Sequence, residues 1–307
     1  MADDKRPSLE ALTASYNAKA TLGQTLDSSW NDNRIPVLLV DDGSTDGSAD
    51  DAERHEGVRV IRQRNAGPSV ARNRAILESR ADFVLFLDSD DLLRPGYREA
   101  FEKAWAANPD ADVFICGMQL IDEAGRHVGH HDAPSLQPTP FLSVLNAETV
   151  PTNGIIVRRE LFARCGLFRP DLTHAEDLDL WLRLAVASPR WVRMDHTLAV
   201  YRQRSGSLSK NGPAMWRGVR RVVASASRLP VGEPGPRRAA ARRILAAYQE
   251  WLYWIAIDSP LRRRAGDSIA GALRDVMHLP PRFWPMALRY AVMGSLRSRV
   301  SGRRSAA

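Results

Sequence analysis

Two strongly apolar segments of this chain each run directly into a cluster of carboxylates. Residues 35–40 lead into Asp41 and Asp42, and residues 83–87 lead into the acidic run 88–91. Short apolar segments alternating with amphipathic stretches are typical of βαβ units, which build a parallel sheet covered by helices on both faces. In such sheets ligands bind beyond the carboxyl ends of the strands. The pattern therefore predicts an α/β protein with an acidic ligand site at one edge of its sheet.

The remaining segments of the pattern are less distinct. Periodicity predicts further strands at 9–13, 58–61 and 191–194, helices at 18–29, 44–54, 69–79 and 176–186, and a loop over 122–154. Glu10 lies inside the first of these strands, and burial of a carboxylate is costly unless it finds a partner. We therefore expect the first strand to be short or to lie at a sheet edge.

Charge is distributed unevenly along the 307 residues. Residues 211–307 contain 18 basic against 5 acidic residues, a net of +13, whereas residues 1–210 contain 25 against 31, a net of −6. This split predicts a ligand-binding domain over 1–210 and a basic, aromatic-rich helical extension over 211–307. Two arrangements suit the extension: helices lying in a bilayer interface, or helices packed on the first domain. Nucleic acid is not an expected partner, because no recognised binding motif accompanies the arginines.

The first residues of the chain, the length of its apolar runs and its cysteines bear on its location. The first residues are polar with no apolar segment after them, which argues against a secretory signal. No apolar run approaches the ~20 residues that a membrane-spanning helix needs. Cys116 and Cys165 lack the paired spacing of a disulfide framework or zinc site. These features predict a cytoplasmic protein whose contact with a membrane, if it has one, is peripheral.

The acidic run 88–91 has the composition of a divalent-metal site. Side chains two residues apart in an extended segment point the same way, so Asp88 and Asp90 can face one ligand. Few, hard oxygen ligands of this kind suit Mg²⁺ or Mn²⁺ shared with substrate phosphates. The alternative is a solvated, Asp-rich turn that caps the next helix, and an isolated Asp-x-Asp is common enough to be compatible with either.

A second polar cluster follows the other strong strand. Ser44 or Thr45 is suited to cap the helix that follows, with Gly43 making the turn. A cap does not account for Asp41 and Asp42, two adjacent carboxylates at the sheet edge that repel each other unless a partner is present. The ring N–H and ribose hydroxyls of a nucleoside would supply such a partner.

Taken in order, these residues resemble the signature of family 2 glycosyltransferases, which have the GT-A fold. The resemblance covers roughly residues 7–210. It rests on Tyr16-Asn17-Ala18, Val40-Asp41-Asp42-Gly43-Ser44-Thr45-Asp46-Gly47, Asn65 with Gly67, Ala71-Arg72-Asn73, Phe86-Leu87-Asp88-Ser89-Asp90-Asp91, and Glu176-Asp177 with Trp181 and Arg183. The first five of these motifs, in the same order, make the resemblance specific, and Glu176-Asp177 with Trp181 and Arg183 matches the second half of the family.

The resemblance implies a role for each matching position. The implied donor-binding residues are Ala14, Tyr16 at the nucleobase, Asp42 hydrogen-bonded to the base, Arg72 facing the nucleotide and Asp88 near the ribose. Asp90, with Asp88, would hold Mn²⁺ or Mg²⁺, and Asp177 would be the general base, with Glu176 beside it in the catalytic pair. A carboxylate that accepts the acceptor's proton suits displacement at an anomeric carbon. The alternative for Glu176-Asp177 is a helix N-terminus, where acidic residues interact well with the helix dipole.

Two further clusters carry weaker signals. Arg204 stands where the family often has His; as a permanent cation it suits a diphosphate, and a basic loop in solvent is the competing interpretation. His130, His131 and Asp132 lie in a predicted loop, where solvated polar sequence or an acceptor-facing loop explains them better than a metal site.

The activity implied by the resemblance is that of an inverting glycosyltransferase of the hexosyltransferase type. The donor would be a nucleotide sugar, most often a uridine diphosphate sugar, and the acceptor a glycan or lipid-linked hydroxyl in bacterial surface polysaccharide or glycolipid synthesis. No Gln-x-x-Arg-Trp motif is present, so single transfer is expected. The alternatives are a nucleotidyltransferase, which usually has a Gly-rich basic loop after its first strand, and an inactive binding module of the same fold.

Overall fold

The structure is a computed structural model that describes residues 6–145, 150–204 and 212–226. Its strands are β1 (Leu9–Ser15), β2 (Val37–Asp41), β3 (Val58–Arg62), β4 (Phe83–Phe86), β5 (Leu92–Leu93), β6 (Val113–Ile121), β7 (His127–His131), β8 (Ile155–Arg158) and β9 (Trp191–Arg202). Its helices are α1 (Leu22–Asn33), α2 (Ser48–Glu53), α3 (Pro68–Glu78), α4 (Tyr97–Ala107), α5 (Pro140–Leu145), α6 (Phe162–Cys165), α7 (Glu176–Ala187) and α8 (Gly212–Ala226).

The described strands form one sheet in the order β3-β2-β1-β4-β8-β6-β9-β5, with β7 paired to β6. The first four strands are parallel, and helices connect them as the periodicity predicts. Strand β8 runs antiparallel to both β4 and β6, so the sheet as a whole is mixed. The predicted α/β architecture, a sheet flanked by helices, is confirmed.

The prediction that the first strand is short or at an edge is wrong. β1 has seven residues and lies between β2 and β4 in the interior of the sheet. Glu10 is tolerated there because its Oε2 accepts a hydrogen bond of 2.6 Å from the Ser79 hydroxyl and the residue is only half-buried. One polar partner at the open end of the strand therefore offsets the cost of the carboxylate.

The predicted loop over 122–154 also contains regular structure. β7 pairs with β6 and brings His130 opposite Gln119 and His131 opposite Met118, and helix α5 follows. Strand β7 is polar and mostly exposed, because backbone pairing at an edge does not require apolar side chains. The strand predicted at 191–194 likewise continues to Arg202, paired along β6.

Two apolar layers cover the two faces of the sheet. One contains Phe86, whose ring contacts those of Phe168 and Trp181 at centroid distances of 5.1 and 5.8 Å. Helix α8 adds Val219 and Val222 to this same layer. The boundary predicted at 210/211 stays a prediction, and residues 227–307 of the predicted extension lie outside the described residues. None of the described helices is long and apolar enough to cross a bilayer.

Candidate active site

The loops that follow β1 and β2 meet at the carboxyl edge of the sheet. The backbone N–H of Asn17 donates to the Ser44 hydroxyl at 2.9 Å, and the Thr45 N–H donates to the Asn17 side-chain oxygen at 2.9 Å. Asn17 adopts the left-handed conformation (φ 49°) that this short side chain tolerates. Tyr16 projects beside this junction with 55% of its surface exposed, so its ring is available to a ligand.

Asp42 is buried at the end of β2 and its carboxylate is occupied by donors from within the chain. It accepts hydrogen bonds from the Gln63 side-chain amide at 2.7 Å and from the backbone N–H groups of Ala66 and Gly67 at 2.8 Å. Asp41 accepts the Ser44 N–H at 3.3 Å. The inference that these adjacent carboxylates need a nucleoside partner is therefore wrong, and base reading by Asp42 stays a prediction. Gln63 was not identified from the sequence, where its closeness to the Asn65 motif is its one signal.

Arg72 joins two of the predicted motifs. Its guanidinium donates to Asp88 Oδ1 at 2.6 Å and to Glu176 Oε1 at 3.0 Å, and its side chain is 10% exposed. Burial alone would lower the pKa of Arg72, but the charges of Asp88 and Glu176 outweigh burial and raise it. Arg72 therefore stays charged and ties the loop after β4 to the first turn of α7. The predicted contact of Arg72 with the nucleotide stays a prediction.

The ring of Phe168 lies against Arg72, and side chains that bond to the backbone of its segment hold that segment in place. The Arg72 guanidinium carbon lies 5.4 Å from the centroid of Phe168. The Asn73 side chain donates to the Phe168 carbonyl and accepts the Phe168 N–H, both at 2.8 Å. Arg183 donates to the carbonyls of Cys165 and Leu167 at 2.6 and 2.8 Å. Two motif residues, Asn73 and Arg183, thus hold a segment that the sequence analysis did not single out.

Asp90 lies at the opening of the site beside Arg204. Arg204 approaches Asp90 Oδ2 at 3.3 Å, and the two side chains are 45% and 30% exposed. Arg204 thus contacts the predicted metal site as well as solvent. Burial and then the charge of Asp88 raise the pKa of Asp90, and Arg204 offsets part of that rise.

The end of β9 supports the acidic loop from behind. The backbone N–H of Arg202 donates to Asp91 at 2.9 Å, and its guanidinium donates to the Asp90 carbonyl at 3.0 Å and to Gln24 at 2.8 Å. Asp91 is buried, and burial followed by the charge of Asp88 raises its pKa well above its usual range. Arg202 was not identified from the sequence, because its partners lie more than a hundred residues away.

Asp88 and Asp90 have the donor chemistry of a Mg²⁺ or Mn²⁺ site. Both carry hard oxygen ligands, and the raised pKa of Asp90 shows a carboxylate that a nearby cation would help to ionise. Among the described residues no group of three His, Cys, Asp or Glu side chains could hold a metal. The residues fit an ion that takes its remaining ligands from substrate phosphates, as Mg²⁺ commonly does.

Asp177 lies in the first turn of α7, next to the Arg72-bound Glu176. Burial and then the charge of Glu176 raise its pKa to about 6. The Leu178 N–H donates to Asp177 Oδ1 at 2.7 Å. A carboxylate with this pKa is ionised at neutral pH and is a better proton acceptor than an ordinary aspartate. The two carboxylates of the pair therefore differ: Glu176 is neutralised by Arg72, and Asp177 is available as a base.

The raised pKa of Asp177 predicts a pH-dependent change in stability. Since the pKa of about 6 in the folded chain exceeds the ordinary 3.8, the native state holds a proton that the unfolded chain releases between these values. The stability contribution of Asp177 therefore falls as pH rises through this window. We expect Asp177→Asn to raise the free energy of unfolding at about pH 8, and the gain to shrink as pH approaches about 4.

Urea unfolding of both chains across this pH range checks the prediction. Asp32→Asn, at an exposed position of α1, is the matched control and should leave the difference near zero at every pH. A difference for Asp177→Asn that does not vary with pH would contradict a raised pKa.

Known proteins resemble this chain in sequence and in fold. The family model described as Glycosyl transferase family 2 matches residues 11–166. EpsH of Bacillus subtilis, named as a glycosyltransferase, is 31% identical over 141 residues, which is 44% of this chain and 40% of EpsH. TuaG of Bacillus subtilis, named for teichuronic acid biosynthesis, is 27% identical over 215 residues, which is 67% of this chain and 83% of TuaG. The chain thus spans less than half the length of EpsH.

Two solved structures share the fold. S. aureus TarS 1-349 in complex with UDP-GlcNAc has a TM-score of 0.63 at 19% identity, covering 93% of this chain and 87% of TarS 1-349. The mannosyltransferase PcManGT from Pyrobaculum calidifontis, in complex with GDP-Man and Mn²⁺, has a TM-score of 0.60 at 19% identity, covering 96% of this chain and 87% of PcManGT. At this identity the likeness concerns the fold alone.

Proposed function

Because this chain belongs to glycosyl transferase family 2, we propose that it transfers a sugar from a nucleoside-diphosphate sugar to an acceptor hydroxyl. The likeness to TarS confirms the GT-A fold. The observation that carries the proposed activity is the Arg72 bridge. One guanidinium joins Asp88, on the loop of the predicted metal site, to Glu176, the neighbour of the predicted base. The residues proposed for the leaving group and for the base are therefore joined at one edge of the sheet.

The donor-binding residues of the proposal surround the ends of β1 and β2. Tyr16 contacts the nucleobase with its exposed ring, and Ala14 lines the donor site at the end of β1. Asp42 forms a hydrogen bond to the base from the loop whose backbone N–H groups it binds. Arg204 reaches the diphosphate from the end of β9. A uridine diphosphate sugar is the proposed donor class, supported by the UDP-GlcNAc in the TarS structure, whereas PcManGT holds GDP-Man.

Asp88 and Asp90 hold Mn²⁺ or Mg²⁺ in this proposal. Such an ion, when bound, neutralises the charge that builds up on the departing diphosphate. The chain's own contribution is to keep Asp88 oriented through Arg72 and Asp90 through the support of its backbone by Arg202. The Mn²⁺ in the PcManGT structure supports this choice of ion.

Asp177 acts as the general base. The acceptor oxygen forms a bond to the anomeric carbon while the bond from that carbon to the diphosphate oxygen breaks, and the acceptor proton passes to Asp177. Direct displacement inverts the anomeric configuration. Glu176 positions the pair through Arg72 and takes no proton. Holding donor and acceptor in line lowers the barrier by several kcal/mol, on the order seen for oriented reactants.

The proposed setting is surface polysaccharide or glycolipid synthesis, with a glycan or lipid-linked acceptor and no nucleic-acid partner. The name of TuaG supports it. We place the protein in the cytoplasm, because neither of its two cysteines, both of which the structure describes, is in a disulfide. Peripheral contact with the membrane through residues 211–307 is part of the proposal, and Arg220 is exposed on helix α8.

Release of nucleoside diphosphate from a panel of nucleotide sugars tests the proposed function. We expect slow hydrolysis of one donor with Mn²⁺ or Mg²⁺, and its loss on addition of a chelator. Incubation of nucleoside triphosphates with sugar phosphates is the second arm, and pyrophosphate release there would identify a nucleotidyltransferase. Donor binding without turnover, before and after acceptors are added, would identify an inactive binding module.

A further inference from the structure

Helix α8 packs against the segment that leads into the predicted catalytic pair. Its residues Val219, Val222 and Val223 are buried in the same apolar layer as Trp181 of α7. α8 lies outside residues 11–166, which the family model matches, and it begins the predicted extension. We call residues 171–175, which precede α7, the entry loop.

Gly218 brings the backbone of α8 into contact with the entry loop. A Cβ atom added at Gly218 would lie 2.4 Å from the His174 carbonyl oxygen and 3.0 Å from its carbonyl carbon. Because both are backbone atoms, rotation of a side chain cannot relieve the clash. Any larger residue here must displace either α8 or the His174 peptide, because Cβ atoms essentially never lie within 3.0 Å of another heavy atom.

Arg221 makes a second contact one turn further along the helix. Its guanidinium donates to the Asp171 backbone carbonyl at 3.1 Å and to the Asp171 carboxylate at 3.0 Å. Arg169 donates to the same carboxylate at 2.7 Å. The start of the entry loop is therefore held by an ion pair from α8, and its end by close packing against Gly218.

One strained residue connects the entry loop to the catalytic pair. Ala175 is buried and adopts the left-handed conformation, φ 60°, which residues other than glycine rarely adopt. Such a conformation persists only where the surroundings hold it. His174 lies directly before Ala175, and Glu176 directly after it, so a shift of the His174 peptide changes the direction in which α7 begins.

We infer that α8 positions the catalytic pair, with Gly218 and Arg221 as the positioning residues. The inference rests on the proposed function in assigning Asp177 as the base. The contacts of α8 set the path of the entry loop, the entry loop sets the first turn of α7, and that turn carries both Glu176 and Asp177. A catalytic group displaced by about 1 Å can lose on the order of a hundredfold in rate.

The test compares two glycine substitutions in helices. Gly218→Ala is the test variant, and Gly23→Ala, at an exposed position in α1 where a Cβ meets nothing within 4 Å, is the matched control. We expect Gly218→Ala to lower kcat for hydrolysis of UDP-GlcNAc, or of the nucleotide sugar that the panel selects, by about tenfold to a hundredfold. The Kd of that donor should stay within about twofold, and Gly23→Ala should match the wild type.

A second measurement does not depend on activity. Carboxylate NMR of ¹³C-labelled aspartate should show the titration of Asp177 moving in Gly218→Ala, because its burial and its distance to Glu176 change. Circular dichroism and thermal unfolding establish that the variant is folded. If it is not, Arg221→Ala replaces it: the lost ion pair is exposed and weak, so folding survives, and we expect a smaller change of the same kind. Arg217→Ala is its control, at an exposed residue with no hydrogen bond or ion pair to the described part of the chain.

The outcomes separate the inference from the proposed function. A wild-type chain that neither hydrolyses a donor nor transfers its sugar to an added acceptor refutes the proposed function, and the Asp177 titration then decides alone whether α8 positions the pair. An active wild type whose folded Gly218→Ala and Arg221→Ala variants keep both kcat and the Asp177 titration overturns the inference and leaves the proposed function standing. A drop in kcat with an unchanged titration and a weakened donor Kd also overturns it, because the effect then lies at the donor site.

Discussion

Asp177→Asn is expected to lower kcat about a thousandfold, within the range of 10²–10⁴ that general-base catalysis contributes. The amide keeps the size of the side chain and can still accept the Leu178 N–H, so the first turn of α7 is preserved. What it lacks is the capacity to take the acceptor proton. The Kd of the nucleotide sugar should not change, because no proposed donor contact is lost. Transfer to an added acceptor and donor binding by calorimetry measure the two quantities separately.

Glu176→Gln is the control that distinguishes the two members of the pair. Glu176 accepts a hydrogen bond from Arg72 at 3.0 Å, so its loss of charge weakens a positioning contact and removes no base. We expect a smaller fall in kcat than for Asp177→Asn. In the unsubstituted chain kcat should rise with pH near 6, where Asp177 loses its proton, and in Glu176→Gln this rise should move to lower pH because the charge of Glu176 no longer raises that pKa. Equal losses in the two variants, or a larger one for Glu176→Gln, would contradict Asp177 as the base.

Asp90→Asn is expected to abolish most of the metal-dependent turnover, a loss on the order of a thousandfold if the bound ion supplies several kcal/mol of stabilisation to the leaving group. The neutral amide is a poor ligand for a hard divalent ion. The donor Kd should rise as well, because the diphosphate then lacks its shared cation. The residual rate should no longer respond to Mn²⁺, Mg²⁺ or chelator, and a titration of rate against metal concentration measures this directly.

Asp32→Asn serves as the matched substitution for Asp90→Asn, since the exposed side chain on α1 has no hydrogen bond or ion pair among the described residues. Its metal response should equal that of the wild type. Retention of a full metal response by Asp90→Asn would refute the proposed metal site. Arg204 would then be the main cation near the diphosphate, because its ion pair with Asp90 places it at the same opening.

The acidic ends of the strands show where reasoning from the sequence succeeds and where it stops. The sequence places Asp42 and Asp88 at the ends of two strong strands, and the structure has them there. From the sequence alone, Asp41 and Asp42 have no evident partners inside the protein. Their hydrogen-bond donors are the Gln63 side chain and backbone N–H groups of the turns that follow β2 and β3. Local periodicity does not show which groups in such turns face the carboxylates.

The α/β class, the strands that end in carboxylates and the order of the motifs follow from the sequence alone, because apolar periodicity and turn residues are local properties of the chain. Which charges meet follows from the packing of the folded chain. Arg72 binds Glu176 across 104 positions, and Asn73 holds Phe168 across 95. α8 closes on the entry loop through a glycine that has no distinctive context in the sequence. Such contacts depend on how distant segments pack. The close packing of a protein interior admits few arrangements of side chains, and no local sequence pattern encodes which arrangement forms.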